Sequence, residues 1–440
     1  MSNRAKTILL LIVDTLILFL ALSLVAFSRK GSMDGVEFLL QHYALFAFIF
    51  PAWILIYFIE GIYTLRTYNP ANLSISLLRS TFLAVFVSFI LFYFIPHQYF
   101  VITPKTTLLL VAVISIPLLH SWRKFFFLYF GLENQQRGTL LIGSMSTLEL
   151  AVEELVRKPH LGYRLVGTLT PEEAINFTPS ADTKLVAIER NLKTSPELYK
   201  KYFSLLGSGI EVMDLAKFTE KISGKIPLQS IDESWFIEYC GHIESRSYDI
   251  TKALIDRLVS IGLIILLLPI FCVLIPLLLV VHGRPIFFKQ TRTGLNNKPF
   301  TLWKLRSMVV DAEKAGAQWA KPGDARVTTV GKFLRKSRFD ELPQLINIFK
   351  GEMGLVGPRP ERPEIIDAKL APNIPFYNLR HLVKPGVTGW AQVTFRYGFS
   401  QEDSAEKLQY DLFYVKNKSL WLDLVIIIKT IKTVLTGAGQ

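Results

Sequence analysis

Hydrophobic positions in this chain come in two textures. The first is unbroken: residues 7–27, 43–63, 77–95 and 107–128 are mostly apolar, and each run of about 20 residues is long enough as a helix to cross a bilayer. A fifth apolar run covers 252–281. The second texture is interrupted and begins near Gly138. Thr139-Leu140-Leu141-Ile142-Gly143 predicts a buried strand, 146–156 a helix, and 165–169, 185–188 and 209–213 further strands. Strands alternating with helices predict a small parallel sheet. Beyond Pro285 the chain turns basic and dense in short motifs. The closing segment around Trp421 and Lys429 is apolar almost all round, which predicts a helix docked at a membrane interface.

Composition agrees with the first texture. Half of the 440 residues are hydrophobic and 19% are charged, which sets the chain apart from ordinary soluble proteins. Arg4 and Lys6 precede the first run, and no small-residue cleavage site follows it, so it reads as an anchor rather than a removable signal. Arg66 lies between the second and third runs and Arg79 at the start of the third, and Arg123, Lys124 and Arg137 flank the end of the fourth. Positive charge marks cytoplasmic loops, so both ends of the bundle are expected in the cytoplasm. Arg29 and Lys30 oppose this, but they share their loop with Asp34 and Glu37. Trp53, Tyr57, Tyr63, Tyr93 and Trp122 are candidate interface anchors. Asp14, inside the first run, is either functional or bonded to a neighbouring helix.

The fifth run is flanked by Lys252 and Arg257 on one side and Arg284, Lys289 and Arg292 on the other. Positive charge at both ends places both on one face of the membrane. Pro269 can break the helix midway and Pro276 can kink it again. The expectation is a re-entrant helix that turns at Leu268-Pro269; an ordinary kinked span is the alternative.

Net charge is +13, and residues 284–340 hold thirteen Lys/Arg against four Asp/Glu. Such a local field suits phosphorylated substrates or an anionic membrane. No nucleic-acid motif accompanies it, so nucleic acid is not an expected partner. Of the two cysteines, Cys240 and Cys272, the second sits in an apolar run, which argues against a disulfide framework or a cysteine metal site. The first strand of the α/β region ends in Gly143 alone, without the glycine-rich turn of a dinucleotide site.

Chemistry concentrates in Arg335-Lys336-Ser337-Arg338-Phe339-Asp340-Glu341-Leu342-Pro343-Gln344. An Asp-Glu pair follows three cations and precedes an expected amphipathic helix whose apolar face would be Leu342, Leu345, Ile346 and Phe349. Lys350-Gly351 ends it, and Pro343 is tolerated in a first turn. Both carboxylates would then lie at a helix N-terminus, where the dipole favours anions. Such a pair suits a divalent metal holding a phosphate, or a carboxylate nucleophile kept ionised. Plain helix capping is the structural alternative.

Further motifs follow in order: Lys304-Leu305-Arg306-Ser307-Met308, the acidic pair, Gly354-Leu355-Val356-Gly357-Pro358-Arg359-Pro360-Glu361, and Lys384-Pro385-Gly386-Val387-Thr388-Gly389-Trp390-Ala391-Gln392-Val393. Together they resemble the bacterial sugar transferases, the polyprenyl-phosphate hexose-1-phosphate transferases or monotopic phosphoglycosyl transferases. The resemblance extends over the whole chain to the large members that initiate exopolysaccharide, capsule or O-antigen synthesis. It implies four transmembrane helices (1–131), a degenerate Rossmann-like α/β domain (137–236) and a mixed α/β catalytic domain (248–440) carrying the re-entrant helix at about 252–281. Gly224-Lys225-Ile226-Pro227-Leu228 through Trp235-Phe236 looks like the family's linker.

The implied reaction moves a sugar-1-phosphate, from glucose or galactose by preference, from a UDP-sugar to undecaprenyl phosphate and releases UMP. By the family's pattern Asp340 is the nucleophile; Asp340 and Glu341 are the expected Mg²⁺ ligands, with Glu341 either organising the ion or positioning the reacting phosphate. Arg335, Lys304, Arg306 and Arg359 are carried over as phosphate-binding residues, with Pro358 and Pro360 stiffening the turn that presents Arg359. Leu305 replaces the family's Phe, and Leu268 a Ser that often precedes Pro269. Gly386, Gly389 and Trp390 would shape a loop beside the site, with Gln392 a polar candidate within it. The expected setting is the bacterial inner membrane, with the catalytic domain on its cytoplasmic face and membrane lipid around it. A homodimer is suggested by the large members. The competing reading is a catalytically silent membrane scaffold or regulator of polysaccharide assembly.

Overall fold

The structure is a computed structural model and describes residues 3–30, 32–60, 62–63, 70–94, 104–130, 137–158, 161–189, 196–205, 207–240, 246–310, 312, 324–395 and 400–436. Arg66 lies outside the described residues, as do the side chains of Arg4, Lys30, Asp34, Glu37 and Tyr93. By internal contacts the chain divides into two compact units. One comprises Met1–Leu140, Leu155–Gly167 and Pro179–Leu185, the other Leu141–Glu154, Thr168–Thr178 and Val186–Gln440.

In the first unit the four apolar runs are helices: α1 (Asn3–Lys30), α2 (Ser32–Ile59), α3 (Pro70–Phe94) and α4 (Pro104–Phe130). By length and composition α1, α2 and α4 can cross a membrane, and the described apolar part of α3, Leu73–Phe89, is shorter. Their shared core holds Leu10, Leu18, Phe46, Phe50, Trp53, Leu77, Leu119 and Phe126. Two expectations change here. Trp53 and Tyr57 are not interface anchors but fully buried, because their polar atoms find partners inside the bundle. Trp53 Nε1 donates to Ser88 Oγ at 2.8 Å and Tyr57 Oη lies 3.0 Å from Thr81 Oγ1. Arg123 is not a loop charge either. It is buried and ion-paired with Asp14, donates to Ile62 O at 2.7 Å, and lies over the Tyr63 ring. In low dielectric neither charge could remain without the other.

The α/β region is built as the pattern predicts. Strands β1 (Arg137–Ile142), β2 (Tyr163–Leu169), β3 (Thr183–Ile188) and β4 (Glu211–Asp214) are interleaved with α5 (Met145–Arg157), α6 (Pro171–Asn176) and α7 (Pro196–Phe203). The sheet order is β2-β1-β3-β4. In such folds anionic ligands sit where a strand runs into a helix N-terminus. Here Glu189, just past β3, takes that place. Its carboxylate accepts the Ser144 N–H at 2.6 Å and the Ser144 hydroxyl at 3.3 Å. The Glu189 carboxylate thus ties the end of β3 to the start of α5.

Helix α8 (Leu215–Ser223), capped by the Asp214 carboxylate, leads into the remainder of the second unit. The stretch that resembles the family's linker is packed there. Ile226 and Trp235, the latter on α9 (Glu233–Cys240), are fully buried among Ile365, Ile366, Leu370, Tyr377, Leu408 and Leu412. Lys416 and Asn417 both reach Glu220 of α8.

The fifth run is α10 (Arg246–His282), one helical element that continues through Pro269 and Pro276. One face packs on the rest of this unit along its length. Leu263, Ile264 and Leu267 meet Leu345 and Ile348, and Leu274 and Leu278 meet Leu305 and Leu334. Both ends are fastened to the same unit, through Lys252 to Asp423 at 3.0 Å and through the His282 carbonyl to Arg306. The opposite face exposes Leu258, Ile265, Leu266, Val273 and Val280, an apolar surface that water does not favour.

The remaining elements are β5 (Phe287–Thr293), β6 (Pro299–Leu305), α11 (Thr329–Lys336), α12 (Gln344–Lys350), β7 (Gly354–Val356), α13 (Pro363–Ile365, continued by a π turn), β8 (Gly386–Thr388), α14 (Trp390–Thr394), α15 (Gln401–Asn417) and α16 (Leu420–Thr436). Strands β5 and β6 form an antiparallel hairpin, and β7 and β8 a short parallel pair. Helix α16 buries Ile426 and Ile428 and exposes Trp421, Leu424 and Ile431, so it is two-faced rather than apolar on every side in its packing.

Candidate active site

The acidic pair occupies a 3₁₀ turn of its own, Phe339–Glu341, entered from Arg338 in the left-handed region (φ 60°). The expected helix begins only at Gln344, with Pro343 as its cap. The carboxylates are therefore not in its first turn, and its buried face changes. Leu345 and Ile348 point inward with Gln344 and Asn347, while Ile346 and Phe349 are 40% and 50% exposed. The intervening turn resets the helical phase, so periodicity counted from Leu342 picks the wrong stripe.

Strand β6 delivers Lys304. Phe300, Leu302 and Lys304 share one face by the two-residue strand period. Phe300 and Leu302 pack with Leu345 and Ile348, and Lys304 carries that face on to Glu341, Nζ to Oε1 at 3.2 Å. Asn347 holds the strand edge as a backbone would: its amide donates to Thr301 O at 2.7 Å and its oxygen accepts the Trp303 N–H at 3.2 Å. This residue carries no motif signal.

Arg359 stands at the end of β7. The pairing of β7 with β8 brings two backbones so close that a Cβ on Gly386 would lie 2.1 Å from Gly357 N, so the glycines there are steric necessities. Beyond them Pro358-Arg359-Pro360 turns, and Arg359 Nη2 donates to Glu341 Oε1 at 2.7 Å. One carboxylate oxygen thus joins three motifs separated in sequence.

Arg335 is brought in by α11. Gly331 on that helix lets it press against Ser307, whose carbonyl would be 1.9 Å from a Cβ. One turn later Arg335 Nε donates to Ser307 Oγ at 3.0 Å. Arg306 is partly committed elsewhere, since its Nη2 bonds the carbonyls of His282 and Gly283 at the end of α10, and its buried Nη1 has no hydrogen-bond partner among the described residues. Gln392 is turned back on its own loop, Nε2 donating to Val387 O at 3.2 Å, because α14 starts immediately after Gly389. Trp390 is fixed by donation to Gly224 O at 2.8 Å and by stacking on Phe413. Pro269 lies on the apolar helix, not among these groups.

Asp340 and Glu341 are 7% and 8% exposed, yet their electrostatics diverge. Burial pushes the Asp340 carboxyl above its ordinary value; Lys304 opposes this and the Glu341 charge adds to it. Burial would also raise Glu341, but Arg359 and Lys304 outweigh it and hold that carboxyl well below the usual range. Two adjacent carboxylates pushed in opposite directions are a recurrent mark of divided roles. Glu341 is a fixed anion that orders two cations. Asp340 is the more basic of the two.

The family model for bacterial sugar transferases matches residues 247–437. A UDP-glucose:undecaprenyl-phosphate glucose-1-phosphate transferase of Caulobacter vibrioides is 36% identical over 198 residues, covering 44% of this chain and 74% of that protein. The chain belongs to the bacterial sugar transferase family. A UDP-N-acetylgalactosamine-undecaprenyl-phosphate N-acetylgalactosaminephosphotransferase of Aeromonas hydrophila is 40% identical over 230 residues, 52% of this chain and 53% of that protein. A glucose-1-phosphate transferase of the same name as the Caulobacter protein, from Klebsiella pneumoniae, is 41% identical over 182 residues, 41% of this chain and 39% of that protein. The match thus spans about half or less of these two larger relatives. As a bacterial sugar transferase the chain has its matched region starting in the first turn of α10, so the family's share includes the apolar helix and every residue of the site above.

Proposed function

We propose that this protein transfers a hexose-1-phosphate from a UDP-sugar to undecaprenyl phosphate. The observation that carries the reading is the buried Asp340 beside a Glu341 locked between Lys304 and Arg359, in a chain whose relatives are named for that transfer. An Asp340 oxygen attacks the phosphorus bearing the sugar. The bond from that phosphorus to the bridging oxygen breaks, and UMP leaves with the electron pair. The carboxyl is then an acyl phosphate carrying the sugar. An oxygen of undecaprenyl phosphate attacks the same phosphorus, the bond to Asp340 breaks, and the carboxylate is restored. A diphosphate resists attack by an anion, so the surrounding cations contribute mainly by electrostatic stabilisation and positioning. Arg335 and Arg359 reach phosphate oxygens, and the spare Nη1 of Arg306 offers a further donor.

Two neighbouring carboxylates also fit Mg²⁺. That ion commonly takes one or two protein carboxylates and completes its shell with water and substrate phosphate. Asp340 and Glu341 supply that number, and among the described residues no cluster of three or more His, Cys, Asp or Glu forms a cage. When bound, Mg²⁺ would neutralise charge on the diphosphate. The protein's part is to hold Glu341 ionised and Asp340 basic beside it.

The proposed seating on the membrane rests on α10. A helix with both ends and one face on a single unit, and the other face apolar, fits insertion into one leaflet with both ends on the same side. In this proposal residues 1–131 are four transmembrane helices, residues 137–236 an α/β domain, and residues 248–440 a catalytic domain on the cytoplasmic face of the inner membrane, the side that positive charge flanking α10 supports. A thiol-labelling reporter placed after Arg292 should react from the cytoplasmic side only. Labelling from outside alone would make α10 an ordinary span.

The test of the reaction is UMP release by membranes containing the protein, given undecaprenyl phosphate, Mg²⁺ and UDP-glucose, UDP-galactose or UDP-N-acetylgalactosamine. Release with one donor supports the reading and names the sugar; none with any donor, from folded protein, refutes it. The acid limb of kcat/KM reports the free enzyme. A nucleophile must be ionised, so activity should fall as pH drops through the Asp340 pKa, above the ordinary 3.8. A limb at or below that value would contradict the assignment.

A further inference from the structure

Arg359 is the long side chain that joins the acidic pair to the rest of the site, and its backbone is held in an unusual way. Pro358 and Pro360 on either side have no N–H and a fixed φ. The four carbonyls of this turn each accept a donor from elsewhere in the catalytic part. Pro358 O takes the Gly386 N–H at 3.0 Å, and Glu361 O takes the Thr293 N–H at 3.0 Å. The two central carbonyls are held by side chains: Arg359 O by Arg380 Nη2 at 2.9 Å and Pro360 O by Arg292 Nη1 at 3.0 Å.

Both clamping arginines are themselves fixed. Arg380, 2% exposed, pairs with Asp411 of α15 at 2.7 Å and donates to Tyr377 Oη at 2.7 Å. Arg292 on β5 lies 3.6 Å from Glu361 and donates to Gln290 Oε1 at 2.5 Å. Glu361 is in turn paired with Lys407 at 3.0 Å. Buried charges retained at this density are costly unless their geometry is used. Here they bear on the backbone of the one turn that presents the Arg359 side chain to Glu341.

We propose that Arg380 and Arg292 are positioning residues that act through Arg359, clamping its carbonyl and the next so that its guanidinium is pre-set against Glu341 and the reacting phosphate. The proposal rests on the transfer reaction above. Charge-assisted hydrogen bonds are the strong ones, and a misplacement of about 1 Å at a catalytic group can cost roughly 10²-fold.

The test is a kinetic double-mutant cycle on the full chain in membranes. Arg380→Lys and Arg292→Lys are each made alone and with Arg359→Ala, and UMP release is followed with radiolabelled donor. Each single substitution should lower kcat by about 10²-fold with KM little changed. In the Arg359→Ala background the same substitution should change kcat less than about twofold, because residues acting as one unit are not additive. A merely structural contribution would reduce activity equally in both backgrounds, and that result, or singles within twofold of wild type, overturns the proposal. If Arg380→Lys fails to fold, Arg292→Lys carries the cycle; if neither folds, the two are structural and the proposal falls. An active wild type with an additive cycle rejects the clamp alone. A wild type that transfers nothing rejects the reaction and the clamp together.

Discussion

Asp340→Asn is expected to abolish sugar-phosphate transfer while leaving the fold at least as stable as wild type. Loss of the attacking group should cost roughly 10⁴-fold or more, the scale seen when a covalent nucleophile is removed. The stability half of the prediction comes from burial. The folded protein holds the Asp340 carboxyl above its ordinary pKa, so ionising it opposes folding. For such a group stability is fully present at low pH and is lost as pH rises through the folded value. Asparagine keeps the shape and removes that burden, so the thermal midpoint at neutral pH should equal or exceed wild type. A midpoint several degrees lower would show that the ionised carboxylate supports the fold. Activity near wild type would remove Asp340 from the chemistry.

Glu341→Gln is expected to behave in the opposite way. Glu341 accepts from both Lys304 and Arg359, and deleting its charge leaves two cations facing each other in a mostly buried site. Removing one member of a buried ion pair costs about 3–5 kcal/mol. Because Lys304 and Arg359 keep 18% and 25% side-chain exposure, the lower figure of about 3 kcal/mol applies. That is a drop of roughly 6–12 °C in thermal midpoint for a domain of this size. The pH sign is reversed as well. The Glu341 pKa is depressed, so its contribution is fully present above the unfolded value of about 4.3 and disappears as pH falls through the folded value. The gap between wild type and variant should therefore be wide at neutral pH and close toward strong acid. A constant gap would mean that Glu341 acts by shape rather than charge.

Much of this protein is legible in its sequence because its strongest signals are local. Unbroken apolar runs give α1, α2, α3, α4 and α10, and β1 to β4 lie within a few residues of their predicted places. The Asp-Glu pair, Lys304 and Arg359 announce themselves by motif, and the fold brings them to one carboxylate oxygen. What stays hidden is partnership across distance. Asp14 and Arg123 are 109 residues apart, so one reads as an anomaly and the other as a loop charge until the helices pack. Trp53 and Tyr57 look like interface anchors because a sequence does not show that Ser88 and Thr81 wait inside the bundle. The face of α12 is misread because a 3₁₀ turn resets its phase without any composition signal. Arg380 and Asp411 are ordinary surface residues by type, and only the packing of α15 makes them a buried pair.

Whether Asp340 carries the sugar phosphate between donor and lipid is tested by omitting the lipid. The protein is incubated with the active UDP-sugar and labelled UMP, without undecaprenyl phosphate. A covalent route predicts that label enters the UDP-sugar, that UMP released in a burst is stoichiometric with protein, and that the peptide containing Asp340 gains the mass of a sugar phosphate. All three should vanish in Asp340→Asn. Transfer that proceeds only when lipid phosphate is present, with no exchange and no adduct, would mean direct displacement and would contradict the account.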